Sequence, residues 1–161
     1  MGQTYERRSP NANSAAIKCE RIENLPFDQT EIVVLEIVRW FILAFHVPER
    51  CAWMSAFQRS EVTFGKVEGA LIAKSALDAV NAMRRVRRAG FNYCEPSSAE
   101  CKVFITPDES CFISALHHAR RGGRAPQSEA FQLCQGQDTS HFLNCLQILA
   151  GAIGRVGGTL H

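Results

Sequence analysis

The sequence lacks the features that would place it in a membrane, in the secretory pathway or among repeat proteins. Its longest apolar stretch, residues 31–47, contains Glu36 and Arg39, is stopped by Pro48, and is shorter than the roughly 20 apolar residues that span a bilayer. Residues 1–20 hold no apolar signal region, and we find no internal repeat or low-complexity tract. These absences predict no membrane span and a cytoplasmic protein.

Motifs of the common catalytic and cofactor sites are also missing. The chain has no Cys-x-x-Cys, no His-Glu-x-x-His, no Gly-x-Ser-x-Gly and no dinucleotide fingerprint. The glycine-rich residues 151–158 follow no predicted strand, so they do not form a phosphate-cradling loop of the usual kind. The sequence therefore predicts a non-enzymatic protein without a cofactor.

Cysteine is abundant, but its pattern does not indicate a disulfide framework. The seven cysteines are odd in number and follow no signal peptide, which favours reduced thiols buried as small apolar side chains. One alternative is a thiol or metal site, for redox or sensing, built from Cys134, His141 and Cys145. Structural zinc sites usually have tighter spacing than these three residues show, so we predict no metal and keep the set as the remaining candidate.

Residues 31–47 carry the largest apolar surface of the chain and predict its central helix. At 100° per residue, Glu31, Glu36, Arg39 and His46 fall on one narrow arc, which predicts that they face water and that Glu36 pairs with Arg39. Asp28 or Thr30 is the expected N-cap, and Pro48 is expected to end the helix.

Four further long helices are predicted around the central one. Their ranges are 48–63, 66–89, 107–121 and 139–155, with a short helix near 127–134 and with Gly90 as the C-terminal cap of 66–89. Thr106, Pro107 and Glu109 form the clearest start signal, a capping box with proline at the first helical position. The predicted fold class is mostly α, a single-domain bundle of about five helices.

Two regions fall outside this helical pattern. Residues 1–24 are polar and predict a flexible N-terminal arm with a short helical turn near 15–22, so that the helical domain covers 25–161. Residues 91–106 alternate apolar and turn-forming residues and predict either a small β-hairpin or an irregular excursion.

Arginine supplies the sharpest charge feature. The formal net charge is only +2, but arginines cluster at the ends of two predicted helices, and these candidates for binding an anion or a partner are Arg84, Arg85, Arg87, Arg88, Arg120, Arg121 and Arg124. Cations at a helix C-terminus also offset the helix dipole, so a structural role competes with binding of phosphate, of an acidic protein surface or of anionic lipid.

The abundance of core signal without a catalytic constellation favours a helical protein-interaction or regulatory domain. Its partner is expected to be another protein or a second copy of the chain in a homodimer. Trp40 and Leu43 lie near the narrow polar edge of the central helix, which makes them candidates for an interface if they are exposed. The first alternative is a nucleic-acid-binding module that uses the arginine clusters, although a basic cluster alone lacks the fold signature of such modules.

Overall fold

The computed structural model describes residues 5–7, 17–122 and 126–157 of the chain. These residues form six α-helices and three short strands. The helices are α1 (Gln29–His46), α2 (Trp53–Phe64), α3 (Lys66–Val86), α4 (Pro107–Arg120), α5 (Pro126–Leu133) and α6 (Ser140–Gly157), and the strands are β1 (Tyr5–Arg7), β2 (Ile17–Arg21) and β3 (Phe104–Ile105). The prediction of a mostly α, single-domain bundle is confirmed.

Helix α1 occupies the centre, packed against α2, α3 and α4, while α6 covers α3 and α4. It begins at Asp28, whose side chain accepts from the Glu31 backbone while the Glu31 side chain accepts from the Asp28 backbone. This reciprocal capping box satisfies backbone donors that a helix start leaves open. Thr106 and Glu109 form the same box at the start of α4, as the sequence predicts.

Short connections fix the directions of the first three helices. Glu36 of α1 pairs with Arg59 of α2, and Phe41 packs on Phe57 with ring centroids 5.7 Å apart, so α1 and α2 run antiparallel. Only Gly65 separates α2 from α3, and its φ of 91° suits a residue without a side chain. The C-terminal ends of α1 and α3 therefore lie at the same end of the bundle.

The predicted water-facing stripe of α1 is wrong at two of its positions. Glu31 and Arg39 are buried, and Arg39 pairs with Glu109 of α4 instead of Glu36. Helical periodicity places these polar residues on one face, but it cannot show that another helix supplies a charged partner for them. Their burial leaves α1 covered on nearly all sides.

Several predicted boundaries also move. Residues 48–50 form a 3-10 turn, and Cys51 takes a left-handed conformation, so α2 starts five residues after Pro48 at Trp53. Helix α3 ends at Val86 because Arg87, with φ −74° and ψ 138°, is extended; Gly90 is thus not its cap.

The strands lie elsewhere than expected. Only β3 falls within 91–106, and it pairs antiparallel with β2, which also pairs with β1. Residues 91–94 are irregular and do not join this sheet. Within the predicted arm, residues 17–24 form β2 and a 3-10 turn instead of the expected helical turn, with Cys19 and Ile22 buried. Residues 1–4 and 8–16 of the predicted arm lie outside the described residues.

Candidate anion-binding pocket

A pocket opens where α1 and α3 end. It has a volume of about 220 Å³. Its lining residues come from the last turns of both helices and from the segment after α3; they are Ile42, Phe45, His46, Arg84, Arg87, Arg88, Ala89, Gly90 and Phe91. The direction of the first three helices brings the two ends together, so the site depends on the hairpin connections of the bundle.

The lining is positively charged. It contains Arg84, Arg87, Arg88 and His46 but no aspartate or glutamate. Each helix C-terminus carries a partial negative charge of about half an elementary charge. The two helix ends together offset about one arginine, so a positive surplus is left at this pocket.

Arg84 is held by an aromatic ring. Its guanidinium carbon lies 3.6 Å from the centroid of the Phe45 ring, in the geometry of a cation–π contact. Burial lowers the pKa of Arg84 below its ordinary value, but a guanidinium in a protein stays protonated. The guanidinium makes no hydrogen bond or ion pair with the residues the structure describes. Stacking thus orients a charged group whose N–H donors have no acceptor among the described residues.

Arg87 has a mainly structural role. It donates to the carbonyl oxygens of Leu133 at 2.8 Å and of Gly90 at 3.0 Å, and it approaches Asp108 at 3.4 Å. These bonds fasten the segment after α3 to α5 and α4. Its side chain is only 6% exposed, yet its Nε has no hydrogen-bond partner among the described residues.

Arg88 supplies the second cation of the pocket. The side-chain oxygen of Gln135 accepts from the backbone N–H groups of Arg88 and Ala89, at 2.8 and 3.2 Å. The backbone is therefore fixed, whereas the exposed Arg88 guanidinium has no hydrogen-bond or ion-pair partner within 17–122 and 126–157. His46 is exposed at the rim, with its ring 5.5 Å from that of Tyr93. Arg85 is exposed nearby but does not line the pocket.

In the second arginine cluster, Arg120 and Arg121 are paired with acidic side chains. Arg120 bonds Asp28 and Glu31 at 2.8 and 2.9 Å, and Arg121 bonds Glu31 at 2.8 Å. Burial opposes ionisation of Glu31, but hydrogen bonds from Arg121, from the Asp28 backbone and from His117 lower its pKa below the ordinary value. Arg120 and Arg121 therefore tie α4 to the start of α1, roughly 20 Å along that helix from the pocket. Arg124 lies outside the described residues.

The two candidate interface residues differ. Leu43 is buried in the core at 1% exposure and offers no surface for a partner, whereas Trp40 is half-buried against the core. Leu43 borders the polar arc of α1 but is not exposed, since two residues of that arc, Glu31 and Arg39, are themselves buried. The large apolar residues that are exposed are Trp53, Met54, Val62, Val67, Leu71, Val103, Phe131 and Ile148.

The candidate metal set is not assembled. Cys134 and Cys145 are buried, and burial raises the pKa of both thiols, while His141 is exposed. Among the described residues, no three His, Cys, Asp or Glu side chains form a group that could hold a metal ion. These two cysteines act as small apolar core residues.

Sequence reasoning identified the arginines of the pocket but missed its walls. Phe45, Phe91 and Gly90 line it together with the carbon skeleton of Ile42. The available signal was topological: two successive antiparallel connections place the C-terminal ends of the first and third helices side by side. Phe45 lies opposite the polar arc of α1, a position at which helical periodicity predicts a core residue.

Comparison with known proteins gives no match, whether against protein-family models, curated proteins or solved structures. In the ranges that the structure describes, none of the helices combines the length and the apolar character needed to cross a membrane.

Proposed function

We propose that this chain is a non-enzymatic helical domain that binds a protein partner through an acidic segment held at the pocket of Arg84 and Arg88. The observation that carries the proposal is the pair of guanidinium groups that have no acidic partner among the described residues, at one pocket whose lining contains no carboxylate. Arginine suits this task because its planar fork of N–H donors matches a carboxylate in two parallel hydrogen bonds.

The lining chemistry favours binding over catalysis. Apart from the His46 imidazole, the lining residues offer no thiol, hydroxyl, amine or carboxylate that could act as a nucleophile. His46 is the only imidazole among the lining residues, and no lining carboxylate orients its ring. A regulatory role stays a prediction that follows from partner binding.

A nucleic-acid-binding module remains the alternative. Binding of this kind needs several cations that follow the phosphate backbone. Arg120 and Arg121 are paired with Asp28 and Glu31, which removes the second cluster from such a row. The remaining cations fit a short acidic segment better than a long polyanion.

Fluorescence anisotropy tests the proposal with three labelled probes: a short glutamate-rich peptide, a DNA duplex and a single-stranded RNA. We expect the peptide to bind and Arg84→Gln or Arg88→Gln to weaken it about tenfold each, as loss of a charge-assisted hydrogen bond should. Arg85→Gln is the matched control, since it removes the same charge from the same helix end without touching the pocket, and it should change the affinity less than about twofold.

Two results would contradict the proposal. Equal losses of peptide affinity in Arg84→Gln, Arg88→Gln and Arg85→Gln would show that binding depends only on the overall charge of the protein. Tighter binding of the duplex or of the RNA, with affinity falling steeply as salt rises, would instead favour the nucleic-acid-binding module.

Two further predictions from the sequence belong to this proposal. Self-association as a homodimer is measured by sedimentation at increasing protein concentration. A cytoplasmic location is supported by the buried free thiols Cys94, Cys101, Cys134 and Cys145, which suit a reducing compartment, and is measured by fractionation of the native host.

A further inference from the structure

We infer that the group held by this pocket is a phosphate monoester on a side chain of the partner, a phosphorylated serine, threonine or tyrosine. The inference rests on the proposed function, because it names the chemistry of the acidic segment at the same site. Three properties of the pocket lead to it: its supply of unused donors, its charge and its size.

The unused donors exceed what one carboxylate accepts. A guanidinium has five N–H donors, and those of Arg84 and Arg88 form no hydrogen bond with the described residues. Arg87 also lines the pocket, and its buried Nε–H has no partner among the described residues. A carboxylate offers two oxygen atoms, whereas a phosphate monoester offers three strong acceptors that can bridge two arginines.

The charge of the pocket also favours a phosphate monoester. Arg84 and Arg88 carry two positive charges that no lining carboxylate offsets. A phosphate monoester carries about −1.5 to −2 at neutral pH, so it attracts the two arginines more strongly than a carboxylate, which carries only −1. Clusters of arginine are the usual means by which proteins recognise phosphorylated segments.

The size of the pocket limits the ligand to one side chain. Sites for drug-sized ligands and cofactors usually enclose about 300–1,000 Å³, more than the 220 Å³ present here. A phosphorylated side chain needs less room, and its carbon atoms meet an apolar wall formed by Ile42, Phe45 and Phe91. The backbone beside the wall is already fixed by Gln135, so the site is formed before the ligand arrives.

Peptides that differ at one central position test the inference by anisotropy: phosphoserine, phosphotyrosine, glutamate and unmodified serine. We expect at least one phosphopeptide to bind about tenfold or more tightly than the glutamate peptide. Arg84→Gln and Arg88→Gln should each remove most of that advantage, and Arg85→Gln should keep it. Thermal unfolding of each variant checks that the fold is intact, and inorganic phosphate is titrated as a competitor.

The possible outcomes distinguish failure of the phosphate inference from failure of the proposed function. Equal binding of the phosphopeptides and the glutamate peptide, still dependent on Arg84 and Arg88, would overturn the phosphate inference and leave the proposed function standing. No binding of any peptide would overturn both. Inorganic phosphate that binds as tightly as the phosphopeptides would also overturn the inference, since the site would then hold any small phosphate.

Discussion

Arg39 of α1 and Glu109 of α4 form a two-pronged ion pair in the centre of the bundle. The Arg39 Nε lies 2.7 Å from Glu109 Oε1 and the Nη2 lies 2.9 Å from Oε2, with side chains 2% and 0% exposed. Glu109 also accepts from the backbone N–H groups of Cys94 and Thr106. One carboxylate thus links the central helix, the start of α4 and the irregular segment between α3 and α4.

We expect Glu109→Gln to destabilise the fold by about 3–5 kcal/mol, because it leaves the Arg39 charge buried without compensation. Urea unfolding followed by circular dichroism measures the change. Glu36→Gln is the matched control: Glu36 pairs with Arg59 at the half-exposed surface, so its loss should cost less than about 1 kcal/mol. Equal costs for the two variants would contradict a central role for the buried pair.

Glu31 should make the stability of the fold depend on pH in the acidic range. It is fully buried and accepts hydrogen bonds from Arg120, Arg121 and the Asp28 backbone. Because these bonds lower its pKa in the folded state, the stabilisation is present above the unfolded pKa and is lost as pH falls through the folded pKa. Glu31→Gln should therefore be less stable than the wild type at neutral pH, and the two should converge between about pH 5 and pH 2. A difference that stays constant over this range would contradict the assignment.

Replacement by alanine should lower the stability at one glycine and raise it at another. A Cβ on Gly69 would lie 2.6 Å from the Glu61 Cα and 2.7 Å from the Ser60 carbonyl oxygen, where α3 touches α2. Gly69→Ala should therefore destabilise by about 1–3 kcal/mol. Gly154, inside α6, has nothing within 4 Å of its Cβ position, so Gly154→Ala should stabilise by about 0.5–1 kcal/mol. Thermal unfolding of both variants measures these changes. Melting temperatures that shift in the same direction would contradict the close α2–α3 contact at Gly69.

Thiol labelling should find one rapidly reacting cysteine. Cys51 is exposed, whereas Cys111 is partly buried and burial raises its pKa. The thiolate is the reactive form, so at neutral pH a maleimide should modify Cys51 first and Cys111 more slowly, while the five buried cysteines react on unfolding. Mass spectrometry of digested protein locates the label. Labelling of Cys134 or Cys145 as fast as Cys51 would contradict their place in the core.

The sequence predicted the features that depend on neighbouring residues. The capping box of Thr106 and Glu109 and the cap at Asp28 each involve residues three positions apart, so a sequence motif contains the whole interaction. The run of large apolar residues likewise identified the central helix, because exposing so many of these side chains to water is unfavourable.

Features that join distant residues were not predictable in this way. Arg39 and Glu109 are separated by 70 residues, and no local pattern shows that two opposite charges will meet inside a core. The strand β2 was missed because its partner, β3, lies more than 80 positions away in the chain. The pocket shows the same limit: the run of arginines at 84–88 is visible in the sequence, but only packing decides that Arg87 bonds Leu133 and Gly90 while Arg84 stacks on Phe45.

The position of the bound segment tests the central claim most directly. Titration of the ¹⁵N-labelled protein with the tightest-binding acidic or phosphorylated peptide reports, by amide chemical shift, which surface it covers. We predict that the largest shifts fall on Arg88, Ala89, Gly90 and Phe91 and on the last turn of α1, and that Arg84→Gln needs about tenfold more peptide to produce them. Shifts centred instead on the exposed Trp53 and Met54, or on Arg120 and Arg121, would contradict the account.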